Sequence, residues 1–133
     1  MNFDPYTAYS WTILSATTID PAILERDGLP VQFQRGLVAA GRAFSAVNWR
    51  NWDTLEYHPA AAIGVFDATA TQPTVEVIRD ERCAQSVGIE AFTGDDGNVY
   101  LVSDAGLGFD SMANPTRSEK PLCVLRMNPS SLQ

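Results

Sequence analysis

The sequence of 133 residues is poor in the side chains that bind metals, because it contains only two cysteines and one histidine. Cys83 and Cys123 lie far apart, outside any Cys-x-x-Cys motif, and do not have the ligand spacing of a zinc site. We interpret both as reduced, buried apolar side chains. The sequence therefore predicts no metal and no cofactor.

Long apolar runs and a secretory leader are also missing. No stretch approaches the roughly 20 apolar residues that a membrane helix needs. The first residues, MNFDPYTAYSW, have neither the basic region nor the apolar region of a signal peptide. We therefore expect a cytoplasmic protein that does not bind membranes.

Positive charge is scarce. The chain has 9 Lys and Arg residues against 16 Asp and Glu residues, which gives a net charge of −7. Such a chain repels phosphate backbones, so general nucleic-acid binding is not expected. The excess of acidic residues is larger in residues 67–133 than in residues 1–66, so a cationic partner should prefer the C-terminal half.

The length is that of one domain, so we expect a single globular domain over residues 1–133. Ala8 to Thr17 alternates loosely between apolar and polar side chains and is predicted to form a first strand. Asp20 then provides an N-cap before Pro21, and Gly28 follows soon after. This pattern predicts a short helix over Pro21–Asp27.

The segment from Pro30 to Trp49 is ambiguous. Its apolar residues recur at steps of three and four, which favours a long helix; they are Phe33, Leu37, Ala40, Phe44 and Val47. Gly36 and Gly41 count against a helix, since each costs about 1 kcal/mol relative to alanine. A strand would place Arg35 in the apolar register, and we therefore favour the helix.

Strand signals dominate after Leu55. One hairpin is predicted from Ala61–Thr69 and Thr74–Arg79, and another from Val87–Thr93 and Val99–Ser103. The second hairpin has an Asp-Gly pair in its connection, which supplies the positive φ angles of a tight turn.

A loop over residues 104–120 and a last strand over Pro121–Met127 complete the chain. Together these elements predict an α+β fold, with one long and one short helix packed on a curled, mostly antiparallel sheet of about five or six strands.

Two pairs of residues are candidates for catalysis. Glu56 and His58 share a face if their segment is extended, and a carboxylate beside an imidazole can hold it as a general base. Asp67 and Glu76 lie in the two strands of the first predicted hairpin, where facing carboxylates would form an acid–base pair. Both patterns are common in solvated residues, so the sequence leans towards a protein without catalytic activity.

The run Trp49-Arg50-Asn51-Trp52 has the most unusual local composition. Tryptophan and arginine are enriched at the energetic centres of protein interfaces, so Trp49, Arg50 and Trp52 are candidate binding residues. The alternative is that the tryptophans cap the core. The 104–120 loop is long for a compact domain, and it contributes three further candidates, Asp104, Phe109 and Asp110.

These observations predict a small acidic, non-catalytic protein-binding or regulatory module, of the inhibitor or immunity type, with self-association as a second use of the same surface. The alternative is a small-molecule-binding protein or enzyme with a pocket between helix and sheet. A second alternative is a structural component of an assembly such as a virion.

Overall fold

The computed structural model of the chain describes residues 19–67, 74–84, 91–103 and 120–133. The predicted first strand, residues 8–17, lies outside these ranges, and so does most of the predicted 104–120 loop.

Seven strands are described, and they form two antiparallel sheets. The strands are β1 (Val31–Ala39), β2 (Arg42–Trp49), β3 (Ala60–Phe66), β4 (Val75–Ala84), β5 (Ala91–Thr93), β6 (Val99–Val102) and β7 (Val124–Met127). The first sheet has the order β1-β2-β3-β4, and the second has the order β5-β6-β7. The only helix in these ranges is a four-residue 3-10 turn, Pro21–Leu24. No described helix has the length and apolar character needed to cross a membrane.

The predicted α+β fold is therefore wrong. In place of helices packed on one sheet of five or six strands, the described residues form two sheets of four and three strands and no helix beyond the 3-10 turn. The long helix predicted over Pro30–Trp49 is instead the hairpin β1–β2. Its turn consists of Ala40 and Gly41, with φ angles of 49° and 74°, and a two-residue type I′ turn requires positive φ at both positions. Gly41 thus forms a turn and does not interrupt a helix.

A β-bulge in β1 explains why the apolar residues of this hairpin have helical spacing. Phe33 pairs with Val47 and Gly36 pairs with Ser45, so β1 has one residue more than β2 between these two pairs. The extra residue places Leu37 on the opposite face from Phe33. Phe33 and Leu37 are four residues apart, as on one face of a helix, but in the structure they lie on opposite faces of a bulged strand.

Two local features accommodate the bulge. The Ser45 hydroxyl donates a hydrogen bond of 2.7 Å to the Gln34 carbonyl. A Cβ atom at Gly36 would lie 3.1 Å from the Phe44 carbonyl oxygen, so a glycine allows the two strands to approach closely at this point.

The prediction of a short helix over Pro21–Asp27 is also wrong beyond its first turn, because only the 3-10 turn Pro21–Leu24 is present. The Asp20 carboxylate caps the 3-10 turn by accepting a hydrogen bond of 2.9 Å from the Ala22 amide. Asp27 and Gly28 then form a second tight turn, with φ angles of 55° and 75°.

The hairpins predicted after Leu55 are confirmed in the described residues. Strand β3 pairs with β4, and β5 pairs with β6 across a turn in which Gly97 has a φ of 76°. The last predicted strand is also present, as β7 on the other side of β6.

The core occupies both faces of the first sheet. The cluster between the two sheets contains eight buried residues: Phe44, Ala46, Ala61, Ile63, Val65, Cys83, Val99 and Leu101. A second cluster lies on the opposite face of β2 and β3 and consists of Leu29, Val47, Trp49 and Ala62. Strands β2 and β3 are therefore apolar on both sides.

A disulfide joins Cys83, near the end of β4, to Cys123, just before β7. The prediction that both cysteines are reduced is wrong, because strands distant in the sequence bring them together. The Ala84 amide donates a hydrogen bond of 3.1 Å to the Pro121 carbonyl beside this link. The Cys123 amide donates one of 2.9 Å to the Ser103 hydroxyl. The disulfide therefore ties β4 and β7, the edge strands of the two sheets, together.

Gly41→Ala distinguishes the hairpin from the helix. In a helix the substitution would stabilise the protein by about 1 kcal/mol, whereas at positive φ we expect it to lower the free energy of unfolding by about 1 kcal/mol. Urea unfolding followed by circular dichroism measures the difference. A rise in stability would contradict the turn.

Replacing both cysteines, as Cys83→Ala/Cys123→Ala, should lower the free energy of unfolding by about 3 to 4 kcal/mol, because the link closes a loop of 40 residues in the unfolded chain. Urea denaturation of the variant should coincide with that of the reduced wild-type protein. Equal midpoints for the variant and the oxidised wild type would contradict the structural role of the disulfide.

Candidate protein-interaction site

Trp49 is a core residue. It ends β2, its exposed fraction is 2%, and it belongs to the cluster on the outer face of the first sheet. Its indole Nε1 donates a hydrogen bond of 2.7 Å to the Leu24 carbonyl. This contact holds the segment before β1 against the end of β2.

Trp52, three residues later, lies at the surface with an exposed fraction of 55%. The Arg50 guanidinium carbon lies 4.4 Å from the centre of the Trp52 ring, within the range of a cation–π interaction. Arg50 itself is buried, and its Nε donates a hydrogen bond of 2.5 Å to the Gln32 side chain. Burial lowers the pKa of Arg50, but an arginine remains charged at neutral pH. Arg50 therefore packs its guanidinium over the face of the exposed indole.

Residues 50–57, which we call the Trp52 loop, are held by hydrogen bonds within the loop itself. The Asn51 side-chain oxygen accepts bonds of 2.9 Å from the Asp53 amide and 3.2 Å from the Thr54 amide. The Thr54 hydroxyl donates to the Glu56 carboxylate at 2.9 Å. The Asn51 amide donates to the Glu56 carbonyl at 2.8 Å. The bond between Asn51 and Glu56 thus joins the two ends of the loop, and the side-chain bonds of Asn51 and Thr54 hold the residues between them.

Leu55 is the second exposed apolar residue of the Trp52 loop, with an exposed fraction of 40%. Its φ angle is 61°, a left-handed conformation that costs a residue with a Cβ atom about 1 to 2 kcal/mol. Strained backbone of this kind persists only when its surroundings impose it, and it is concentrated at functional sites. The hydrogen bonds on either side of Leu55 provide that constraint.

The Trp52 loop combines exposed apolar groups with negative charge. Asp53 and Glu56 are exposed and flank Trp52 and Leu55 in the sequence. A rigid tryptophan and leucine bordered by carboxylates are suited to an apolar pocket with basic residues around it. The arrangement is suited to binding.

His58 lies just beyond this loop, in a cluster of charges. Its Nδ1 is 3.5 Å from the Asp27 carboxylate and its Nε2 is 3.5 Å from the Glu81 carboxylate. Its ring meets the Trp49 ring edge to face, with 5.7 Å between centroids. The predicted partner, Glu56, has its hydrogen bond with Thr54 in the loop. The structure therefore places His58 between carboxylates from other parts of the chain.

Glu81 connects this cluster to the C-terminal segment. Lys120 Nζ lies 3.1 Å from the Glu81 carboxylate. Its hydrogen bond lowers the pKa of that carboxyl, with a smaller contribution from His58. Within the described ranges, no group of three or more His, Cys, Asp and Glu residues is arranged to hold a metal ion.

Asp67 and Glu76, the other candidate pair, line the same small cavity of about 140 Å³. Arg42 also lines it, and its guanidinium donates hydrogen bonds of 3.1 and 3.2 Å to the Pro129 and Ser130 carbonyls. The catalytic role of the two carboxylates stays a prediction.

Three of the predicted binding residues, Asp104, Phe109 and Asp110, lie outside the described residues. Conversely, neither Asn51 nor Leu55 is among the binding residues predicted from the sequence. An asparagine just before a short polar run is a signal for a turn capped by its side chain, so Asn51 had a detectable signature. The left-handed conformation of Leu55 had none, because leucine rarely adopts it.

Comparisons of the chain with protein-family models, curated proteins and solved structures found no match.

The strain at Leu55 can be tested by substitution. Leu55→Asn should keep or raise the free energy of unfolding, by up to about 1 kcal/mol, since asparagine tolerates the left-handed region. Leu55→Val should lower it by about 1 kcal/mol or more, because a branched Cβ is least compatible with positive φ. Urea unfolding of both variants gives the comparison, and the reverse order of stabilities would contradict the strain.

Proposed function

We propose that this protein is a non-catalytic protein-binding module of a regulatory kind, such as an inhibitor or immunity-type protein. It binds through the Trp52 loop to a partner that has an apolar pocket bordered by basic residues. The observation that carries the proposal is the exposure of Trp52 and Leu55 on a loop fixed by its own hydrogen bonds.

The rigidity of the loop supports binding. A flexible loop loses conformational freedom when it binds, and that loss opposes association. In the Trp52 loop, the Asn51 and Thr54 side chains already form hydrogen bonds that restrict the backbone, and Arg50 already contacts the indole. Less conformational freedom is therefore left to lose on binding, and less of the affinity gained from Trp52 is offset by ordering the loop.

The charge of the chain supports a basic partner. The net charge of −7 and the exposed Asp53 and Glu56 favour approach to a cationic surface and accelerate association. The same charge opposes self-association, since two copies repel each other. A second copy as the partner is therefore the less favoured outcome.

The cytoplasmic location predicted from the sequence remains a prediction. The disulfide between Cys83 and Cys123 weighs against it, since disulfides form and persist mainly in oxidising compartments.

The test is affinity capture from the source cells with wild-type protein, Trp52→Ala and Phe92→Ala, followed by calorimetry with the purified partner. Phe92 is a matched control because it is an exposed aromatic residue of the second sheet. We expect Trp52→Ala to weaken binding by about thirtyfold, the effect of losing a central interface residue worth about 2 kcal/mol. Phe92→Ala should bind within about twofold of wild type.

Both variants change exposed side chains, so cooperative thermal unfolding should be retained and is checked first. A partner that binds Trp52→Ala as tightly as the wild-type protein contradicts the proposal. So does binding that is lost in Phe92→Ala but kept in Trp52→Ala. Trp49→Ala is not a suitable variant, because Trp49 is buried in the core.

A further inference from the structure

The outer face of the second sheet carries a row of side chains that crosses its three strands. Phe92 on β5 pairs with Tyr100 on β6, and Tyr100 pairs with Arg126 on β7. The neighbours of Tyr100 along β6, Val99 and Leu101, are buried in the core between the two sheets. Because side chains alternate between the faces of a sheet, the row points away from that core.

Two rings of this row, Phe92 and Tyr100, form an exposed surface that we call the aromatic platform. The rings are stacked, with 5.4 Å between their centroids and 12° between their planes. Phe92 is 49% exposed although Tyr100 covers part of its ring. Strand β5 lies at the edge of the sheet formed by the described residues. An aromatic ring surface is therefore accessible to a ligand.

Gly94 and Asp96 fix the position of the Tyr100 ring. A Cβ atom at residue 94 would lie 2.6 Å from Tyr100 Cε2, so the ring occupies space that a side chain there would need. The Tyr100 hydroxyl donates a hydrogen bond of 2.8 Å to the Asp96 carboxylate. This bond raises the pKa of Tyr100, so the hydroxyl stays protonated at neutral pH. The platform is thus ordered before a ligand binds.

Hydrogen-bonding groups of both signs border the platform. The Asp96 carboxylate also accepts bonds of 2.7 Å from the Asn98 side chain and 3.1 Å from the Asn98 amide. The bonds from Asn98 and Tyr100 lower the pKa of Asp96, and the positive charge of Arg126 adds to that shift. One carboxylate is therefore matched by one guanidinium beside the Tyr100 hydroxyl.

This border has capacity left for a ligand. A carboxylate has about four acceptor positions, and the three bonds to Asp96 leave one of them for a ligand donor. Asn98 has a second side-chain N–H and a side-chain carbonyl. Because Tyr100 contacts both Phe92 and Asp96, the ring surface and the polar border are one side chain apart. Two linked sugar rings can span that separation.

The combination matches the surface of a sugar. A pyranose ring has C–H groups on its faces and hydroxyl groups around its rim. The C–H groups pack on the negative face of an aromatic ring, and each hydroxyl both donates and accepts hydrogen bonds. An uncharged ligand also fits a border in which Asp96 and Arg126 balance each other.

Other classes of ligand fit this face less well. Asp95 and Asp96 are exposed at the hairpin tip and repel the phosphates of a nucleic acid. Arg126 opposes a cation. An apolar protein surface placed over Phe92 would remove the charges of Asp96 and Arg126 from water, which is costly. A second copy of the chain is opposed by the net charge of −7.

We propose that the outer face of the second sheet binds a neutral oligosaccharide, with one sugar ring stacked on Phe92 and hydroxyl groups hydrogen-bonded at Asp96 and Asn98. The Trp52 loop follows β2 of the first sheet, whereas this site is formed by β5 and β6 and the turn between them. The failure of one proposal therefore leaves the other unaffected.

NMR titration of the full-length oxidised protein tests the site, with the Phe92 and Tyr100 ring signals as the readout. The probes are three neutral tetrasaccharides with different hydroxyl patterns, namely cellotetraose, chitotetraose and galactotetraose. Sorbitol provides hydroxyl groups without a ring face, and a thymidine oligonucleotide provides stacking bases with phosphates. We expect saturable binding of at least one tetrasaccharide in the millimolar range, with nuclear Overhauser contacts from its C–H groups to Phe92. Sorbitol and the oligonucleotide should not saturate.

Variants with matched controls assign the contacts. Phe92→Leu keeps an apolar side chain but removes the ring, and it should weaken tetrasaccharide binding by about fivefold to tenfold. Phe92→Tyr keeps the ring and should bind within about twofold of wild type. Asp96→Asn removes a charged acceptor and should weaken binding by about fivefold. Trp52→Ala, which removes an exposed aromatic residue outside the second sheet, should leave the affinity unchanged.

Several results would overturn the proposal. Saturable shifts with none of the tetrasaccharides, or equal affinity for wild type and Phe92→Leu, would remove the stacking site. Oligonucleotide binding that is lost in Phe92→Leu would assign the platform to nucleic acid. Cooperative thermal unfolding of each variant is checked first. If Phe92→Leu does not fold, the wild-type protein still decides, because Overhauser contacts from the sugar to residues away from Phe92 and Tyr100 would place the ligand elsewhere.

Discussion

Strands β2 and β3 are apolar on both faces, and this two-sided burial requires a covering layer on each side of the first sheet. The second sheet covers one face and buries Phe44 and Ile63. On the other face, Leu29 packs with Val47 and Trp49, and the Trp49 indole is bonded to the Leu24 carbonyl. In a sheet with one face in solvent, polar and apolar residues alternate along each strand. That alternation is lost in β2 and β3, because both of their faces are covered.

The Trp52 loop follows directly from the end of β2. Trp49 at that end is buried, its indole is bonded to the Leu24 carbonyl, and its ring meets the His58 ring edge to face, so the loop starts from a fixed position. The edge strands of the two sheets are tied together elsewhere, by the disulfide between Cys83 and Cys123.

The sequence predicted the hairpins after Leu55 because their signals are local: apolar runs separated by turn residues such as Gly97. It failed at β1–β2 because an extra residue in a bulge and a two-residue turn together reproduce helical spacing, and only Gly36 and Gly41 pointed to the hairpin. The disulfide was not predictable, since the cysteines meet through the packing of two sheets. Trp49 and Trp52 belong to the same four-residue run, and only tertiary contacts distinguish the buried Trp49 from the exposed Trp52.

The distribution of charge in the folded chain also differs from the distribution along the sequence. The C-terminal half of the sequence carries most of the negative charge, which predicts a surface for a cationic partner. In the folded chain, that half pairs part of its negative charge with its own basic residues, Arg82 with Asp80 and Lys120 with Glu81, while the Trp52 loop in the less acidic half presents Asp53 and Glu56 to solvent. The sign of a site therefore depends on which charged side chains the fold brings together, and the net charge of a segment is a poor guide to the ligand that the segment binds.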